Sequence, residues 1–348
     1  MKEIALSKLG NSVVATVLEG SEKARPCLYI GLPKTATTML QAQVFSQHDQ
    51  VDFLGVFAVS SLFSKQKATG KCRDQQVYDL MQRLIWNPRP PVDIEDCQQS
   101  FEQLTENATG RVPVWCWESL ALDSAKRRRQ RAETLRAVFG PSKVIMTIRQ
   151  PLSLVESVYF QVLKRDNTCT KHVRAKGICL RTIDDWLKQG FPKGAPFSHL
   201  DYSETARIYA DIFGKESVRI CLFEQLVENQ ANFVANVCDF FGIDSAHGVH
   251  LAAARRENVR WTTTQMKRLE KIKSSQFRSL AYLSATKQRR MKMLGWSRTQ
   301  ATSNSQGQKL RAEISASWQD KILDLTREGN RYLVENWQLP LEKYGYPL

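Results

Sequence analysis

Short runs of β-branched and aromatic residues alternate along this chain with longer stretches whose apolar positions recur every three or four residues. The short runs predict strands over residues 26–31, 112–117, 143–148 and 217–223. Helical spacing follows each of them, the pattern of a parallel sheet covered by helices, so the expected fold is a three-layer α/β sandwich with helical insertions. The clearest helix covers 124–139: Ser124 stands at its start, Ala132, Leu135, Val138 and Phe139 form its apolar stripe, and Gly140-Pro141 ends it. Pro151 suits the first turn of the next helix, whose buried side reads Leu152, Val155, Tyr159 and Val162. A further helix is expected over 229–241, with one or two more toward the C-terminus.

Three stretches interrupt this scheme. Residues 57–110 are polar and helical in places, with a Pro-rich break at 87–91. Residues 164–198 read as a Gly-, Lys- and Cys-containing loop with one short helix. Residues 255–308 are strongly basic and end in a Ser-, Gln- and Asn-rich run. Neither an internal repeat nor a dividing linker is present. One domain over 26–348, carrying these insertions behind an extension over 1–25, is therefore expected.

Composition narrows the class. With 42% hydrophobic and 24% charged residues the chain is neither collagenous nor wholly disordered. No apolar run is long enough for a membrane-spanning helix, and the first twenty residues lack a signal-peptide core, which makes a cytoplasmic protein the expectation. Fifty Lys and Arg against 35 Asp and Glu leave a formal charge of +15, which favours anionic partners without choosing among them. The eight cysteines form no C-x-x-C pair, so a zinc ribbon has no support. Cys27, Cys116 and Cys221 sit in strand-like runs as small hydrophobes, and Cys169 and Cys179 flank a polar loop; reduced thiols are expected throughout.

The sharpest chemical signal is Leu28-Tyr29-Ile30-Gly31-Leu32-Pro33-Lys34-Thr35-Ala36-Thr37-Thr38-Met39-Leu40, a strand entering a Gly-Pro turn and then a hydroxyl-rich helix start. Such a turn aims backbone N–H groups and the positive end of a helix at one spot, where a phosphate or a similar oxyanion binds. Aligned on the G-x-x-x-x-G-K-[ST] loop of nucleotide hydrolases, Gly31 takes the first glycine, Ala36 the second, Thr37 the lysine slot and Thr38 the hydroxyl slot. The loop has the right length but its lysine has moved inward, to Lys34. At the end of the third of the four strands stands Arg149, where an ATPase would place an acidic metal ligand. A guanidinium there attracts a second phosphate, and Ser157, eight residues on, adds a hydroxyl.

Together these motifs resemble the P-loop sulfotransferases that use 3′-phosphoadenosine 5′-phosphosulfate (PAPS). The family pattern P-K-[TS]-[GA]-T-[TS]-x-L is matched by Pro33 to Leu40, and its second motif, R-x-P with a serine eight residues beyond the arginine, by Arg149, Pro151 and Ser157. Weaker likenesses are Leu222-Phe223-Glu224-Gln225-Leu226 and the ending Leu339-Pro340-Leu341-Glu342-Lys343-Tyr344-Gly345-Tyr346-Pro347. The resemblance implies metal-independent, in-line transfer of a sulfuryl group from PAPS to a hydroxyl or, second, an amine, with 3′,5′-ADP released. It makes Lys34, Thr35, Ala36, Thr37 and Thr38 the cradle of the 5′-phosphosulfate, Lys34 the cation at the leaving oxygen, and Arg149 with Ser157 the holders of the 3′-phosphate. Arg255 and Arg256 fall where family members lay a basic loop over the nucleotide.

For the base, Glu118 at the end of the Trp115-Cys116-Trp117 strand is the first candidate, with His48 and His199 as the others. A small-molecule or glycan acceptor is expected, an acidic one being among those the charge admits; sequence-specific nucleic acid is not implied. The basic run Lys126 to Arg131 reads as a solvated helix face, and Lys287, Arg289, Arg290, Lys292 and Arg298 as a second basic cluster. Two other classes fit parts of the pattern. A metal-dependent nucleotide kinase or NTPase would use Glu118 as the Mg²⁺ carboxylate. A non-catalytic polyanion-binding module would keep its binding without Lys34.

Overall fold

The computed structural model describes residues 26–35, 37–56, 72–85, 92–106, 110–122, 124–190, 199–253, 261–296, 308 and 310–348. The extension over 1–25, the Pro-rich break at 87–91, Ala36, Arg255, Arg256 and Arg298 lie outside them.

Five strands form one sheet: β1 (Cys27–Tyr29), β2 (Val51–Val56), β3 (Val112–Cys116), β4 (Lys143–Ile148) and β5 (Val218–Leu222), in the spatial order β2-β3-β1-β4-β5. All four pairings are parallel, with Leu28 registered against Trp115 on one side and Val144 on the other. Alternation along each strand sorts the side chains into two cores. Leu28, Ile30, Trp115, Trp117, Val144, Met146, Ile148, Ile220 and Leu222 enter the larger one, while Cys27, Tyr29, Val114, Cys116, Ile145 and Cys221 enter the smaller. Burial on both faces explains why these strands read as continuous apolar runs.

The smaller core is closed by α1 (Thr37–Met39), which widens at once into a π-helical turn over Leu40–Phe45, and by α10 (Gln230–Phe241) and α11 (Ser245–Ala253). The larger is closed by α2 (Gln75–Ile85), α3 (Ile94–Glu106), α4 (Ala125–Phe139), α5 (Pro151–Thr168), α8 (Tyr202–Phe213) and the long C-terminal α15 (Ala316–Trp337). The chain thus leaves β1 toward one face of the sheet and its neighbours β3 and β4 toward the other. That divergence opens a crevice at the carboxyl edge, directly over β1.

Four of the strands and the helices over 124–139, 151 onward and 229–241 stand where the sequence places them. Strand β2 was not foreseen. It carries Asp52, buried against Arg73 Nη1 at 2.7 Å, and Gly55 at φ 106° beside a register shift, both of which hide strand character from a period-two reading. Residues 164–198 are not the loop expected. In their described part α5 runs on to Thr168, and α6 (Thr170–Lys176) and α7 (Ile183–Gly190) follow. The basic stretch after 260 folds as α12 (Thr263–Lys273), α13 (Gln276–Ser284) and α14 (Lys287–Met293), with Trp261 and Trp296 meeting edge to face beneath them.

The run Lys126 to Arg131 also needs correction. Arg128 is buried, not solvated: it donates to Thr205 Oγ1 and pairs with Glu204 on α8, while Arg131 lies over the Trp117 ring at 5.0 Å. Arg290 is equally buried, holding the carbonyls of Tyr282, Thr168 and Leu283.

Candidate active site

Beyond Tyr29 the chain keeps pairing with β4 for three residues, Ile30 N–H donating to Ile145 O at 2.9 Å and Leu32 N–H to Thr147 O at 3.3 Å. It then turns through Pro33-Lys34-Thr35 into α1. Gly31 suits the root, because a Cβ there would crowd the Tyr29 ring at 3.1 Å and push it by a few tenths of an ångström. The buried Tyr29 hydroxyl props the turn from below, 2.7 Å from Thr147 Oγ1 and 3.5 Å from the Thr35 carbonyl. Thr35 is itself fully buried, its hydroxyl turned back to donate to Leu32 O at 2.5 Å.

Lys34 has φ 71°, one of only two non-glycine residues among those described in the left-handed region. For an L-residue that conformation costs about 1–2 kcal/mol, so something must hold it. The holder is Arg149, whose Nη1 donates to the Lys34 carbonyl at 3.0 Å. Arg149 is almost wholly buried; Nε and Nη2 grip Ser153 Oγ at 3.0 and 2.7 Å, and its plane lies over Phe223 at 4.3 Å. Gln150 caps α5 by accepting from Ser153 N–H at 2.7 Å. Ser157 is half-buried one turn beyond Ser153, and Lys164 falls on the same stripe of α5 two turns further on. Burial holds the Lys164 ammonium below the ordinary lysine range, and the nearby positive charges of Lys34 and Lys287 add to the effect. Its Nζ sits over the Trp296 ring at 4.4 Å. Lysines from three separate segments are thus close enough for their charges to be felt at Lys164.

On the other side of β1, Glu118 opens a 3₁₀ turn directly after β3 and accepts a hydrogen bond from Thr37 Oγ1. Thr37 is buried and Thr38 exposed at the start of α1. The neighbouring Cys116 is no rival nucleophile: burial, reinforced by the Glu118 charge, lifts its thiol well above the ordinary cysteine range. Glu224, the first acidic residue after β5, accepts from Gln150 N–H at 3.0 Å and from Tyr346 O–H at 2.9 Å. The two faint C-terminal likenesses are therefore one physical unit, locked behind Arg149.

The structure brings Lys34, Thr35, Thr37, Glu118, Arg149 and Ser157 to one edge of the sheet. His48 is not among them. It lies before β2, at the opposite edge, with Nε2 bonded to Asp244 O at 2.9 Å. His199 is half-buried just beyond the undescribed residues 191–198. Sequence reasoning missed Ser153, Phe223 and Lys164. Ser153 was findable as the helical neighbour four residues after Arg149; Phe223 and Lys164 required the fold.

The sulfotransferase family model matches residues 26–247, well over half of the chain. No curated protein matches it significantly. Among solved structures, a sulfotransferase from Alicyclobacillus acidocaldarius aligns at 15% identity and a TM-score of 0.42, covering 75% of this chain and 94% of that one. The sulfotransferase domain of the Synechococcus PCC 7002 olefin synthase aligns at 16% identity and a TM-score of 0.40, covering 66% and 78%. Among the described residues no helix is long and apolar enough to cross a membrane. On the family match, this chain belongs to the sulfotransferase family.

Proposed function

We propose that the protein transfers a sulfuryl group from PAPS to a hydroxyl acceptor and releases 3′,5′-ADP without using a metal ion. The observation that carries the reading is the left-handed Lys34, held in place by Arg149. A buried arginine that holds a lysine in an unfavourable backbone conformation fixes the root of a cation at the turn, and strain of this kind persists where a site uses it. The donor set fits a nucleotide with two anionic ends. Loop N–H groups, Lys34 and the Thr38 hydroxyl stand at one end, with Thr37 tying Glu118 to it, and Arg149, Ser153 and Ser157 at the other.

PAPS supplies the sulfuryl group on its 5′-phosphate and carries the 3′-phosphate that ATP lacks. Lys34 neutralises negative charge growing on the bridging oxygen, a task for a preplaced cation that needs no reorganisation at the moment of transfer. Glu118, next to the loop through Thr37, takes the proton of the attacking hydroxyl. Lys164 and Lys287 extend the positive field beyond Lys34, which supports an anionic acceptor.

The nucleotide assignment is tested by thermal unfolding with ligand. A ligand that binds only the folded chain stabilises it by mass action. Saturating 3′,5′-ADP is expected to raise Tm well above the shift given by the same concentration of 5′-AMP, tenfold tighter binding corresponding to about 1.4 kcal/mol. Equal shifts would remove the 3′-phosphate pocket from the proposal.

A further inference from the structure

At the sheet edge opposite the active site, three side chains that the reaction does not use converge. His48 and Asp49 follow the π-helical turn of α1, and His247 stands in the first turn of α11. One potential ligand atom from each of the three lies within 4.8 Å of the other two, and the two imidazole rings are 4.7 Å apart. Asp49 Oδ1 is 3.4 Å from His48 Nδ1 and 3.1 Å from His247 Nδ1. Ligands about 2.0–2.1 Å from a tetrahedral Zn²⁺ are about 3.3 Å apart. Both measured edges fall at that spacing.

The surroundings already orient His48 as a ligand, and His247 becomes one when the proton that its Nδ1 donates to Asp49 Oδ1 moves to Nε2, leaving the Nδ1 lone pair to the ion. The His48 ring is fully buried, and its Nε2 is within 2.9 Å of the Asp244 carbonyl, an acceptor only. The proton therefore sits on Nε2 and the lone pair on Nδ1. This is the imidazole–carbonyl pairing that fixes the tautomer of metal-bound histidines. Gln50 N–H donates to that lone pair at 3.2 Å, but also to Asp49 Oδ1 at 2.9 Å. A cation displacing the longer arm leaves the shorter in place, so the N–H is never stranded. The two segments are laced independently of any ion: Asp244 N–H donates to Gln50 Oε1 at 2.6 Å, and the Asp244 carboxylate caps α11 through the N–H groups of Ala246 and His247. Gly248 seats α11 on α10, since a Cβ there would fall 2.4 Å from Cys238 Sγ.

We infer that His48 Nδ1, Asp49 Oδ1 and His247 Nδ1 form a binding site for a divalent transition ion of the zinc class, clipping the end of α1 to α11. Two imidazoles and one carboxylate suit Zn²⁺ and disfavour Mg²⁺, which takes oxygen ligands. Asp49 is exposed, so water completes the coordination. The site lies at the edge of the sheet opposite Lys34 and takes no part in transfer.

The test is Zn²⁺ titration of the full chain, stripped with chelator and dialysed, followed by calorimetry and by Tm, with Mg²⁺ as control. One ion per chain is expected, with Tm raised by Zn²⁺ and not by Mg²⁺. His247→Ala and Asp49→Ala, both at accessible positions, should each weaken binding at least tenfold and abolish the Tm shift. His247→Gln and Asp49→Asn provide the same comparison should a truncation unfold the apo chain. The eight thiols are a competing sink, and Co²⁺ distinguishes them: binding at this site shows no sulfur-to-metal charge-transfer band. Failure of the parent chain to take up Zn²⁺ at micromolar concentration, unchanged affinity in the variants, or a thiolate band on Co²⁺ would each overturn the assignment.

Discussion

Lys34→Ala is expected to lower kcat by about 10²–10³-fold, the usual loss when one preplaced electrostatic donor is removed from a developing charge. Affinity for 3′,5′-ADP should change much less, because the ammonium acts as the bond to the leaving oxygen breaks and not in the ground state. The backbone supplies a control that an ordinary lysine would not. Alanine keeps the left-handed strain at φ 71°, whereas Lys34→Gly relieves it. The glycine variant should therefore be as slow as the alanine variant while unfolding later, by about 1 kcal/mol in urea. Lys34→Arg should rescue poorly, since a planar fork does not replace a compact point charge in a tight turn. Transfer by a folded Lys34→Ala protein at close to the parental rate, measured with ³⁵S-labelled PAPS, would defeat the proposed chemistry.

Glu118→Gln is expected to slow transfer by about 10²–10⁴-fold, the range for loss of a general base. The amide oxygen still accepts from Thr37 Oγ1, so the loop should keep its position and nucleotide affinity should stay near the parental value. That split between rate and binding separates a base from a residue that only props the loop. Glu118→Ala removes both functions and should weaken nucleotide binding as well. Near-parental turnover by Glu118→Gln would point to His199 or to an acceptor that needs no base. His48 is no longer a candidate, because it is held at the other edge of the sheet by Asp244.

Much of the fold was legible because a parallel sheet buried on both faces leaves uninterrupted apolar runs. Lys143–Ile148, with five of its six residues buried, is the plainest case. β2 escaped notice for the opposite reason: an edge strand with a buried aspartate and a positive-φ glycine carries neither the alternation nor the continuous run. Of the helices α6 and α7 the sequence offered only one short helix, because glycine and cysteine between them read as loop; the link that closes this stretch, Asn167 donating from Nδ2 to Cys179 O and accepting at Oδ1 from Cys179 N–H, depends on a side chain and not on a periodic pattern. Lys34 and Thr37 were singled out because a strand-to-helix turn is local, a few residues whose order dictates where their N–H groups point, and Arg149 because it stands at the end of an apolar strand. What anchors them was invisible. Arg149 reaches Lys34 across 115 positions of chain, and Glu224 reaches Tyr346 across 122. Arg128 shows the same limit from the other side, since only α8 reveals that one arginine in a basic run faces inward.

The placement of the loop on β1 has a dynamic consequence. β1 is the middle strand, paired on both edges, and Tyr29 rises from it through the core to the underside of the turn. Amide protons of such a strand exchange with solvent only when the whole domain opens, whereas peripheral helices exchange through smaller fluctuations. The floor of the site therefore belongs to the last cooperative unit to come apart. Heat should extinguish nucleotide binding at the temperature where the sheet itself melts. Exchange measured at Leu28, Tyr29 and Ile30 should track global unfolding, while α13, with Phe277 almost fully exposed, should exchange long before. Rigidity at the Lys34 turn is inherited from the centre of the sheet and needs no ligand to establish it.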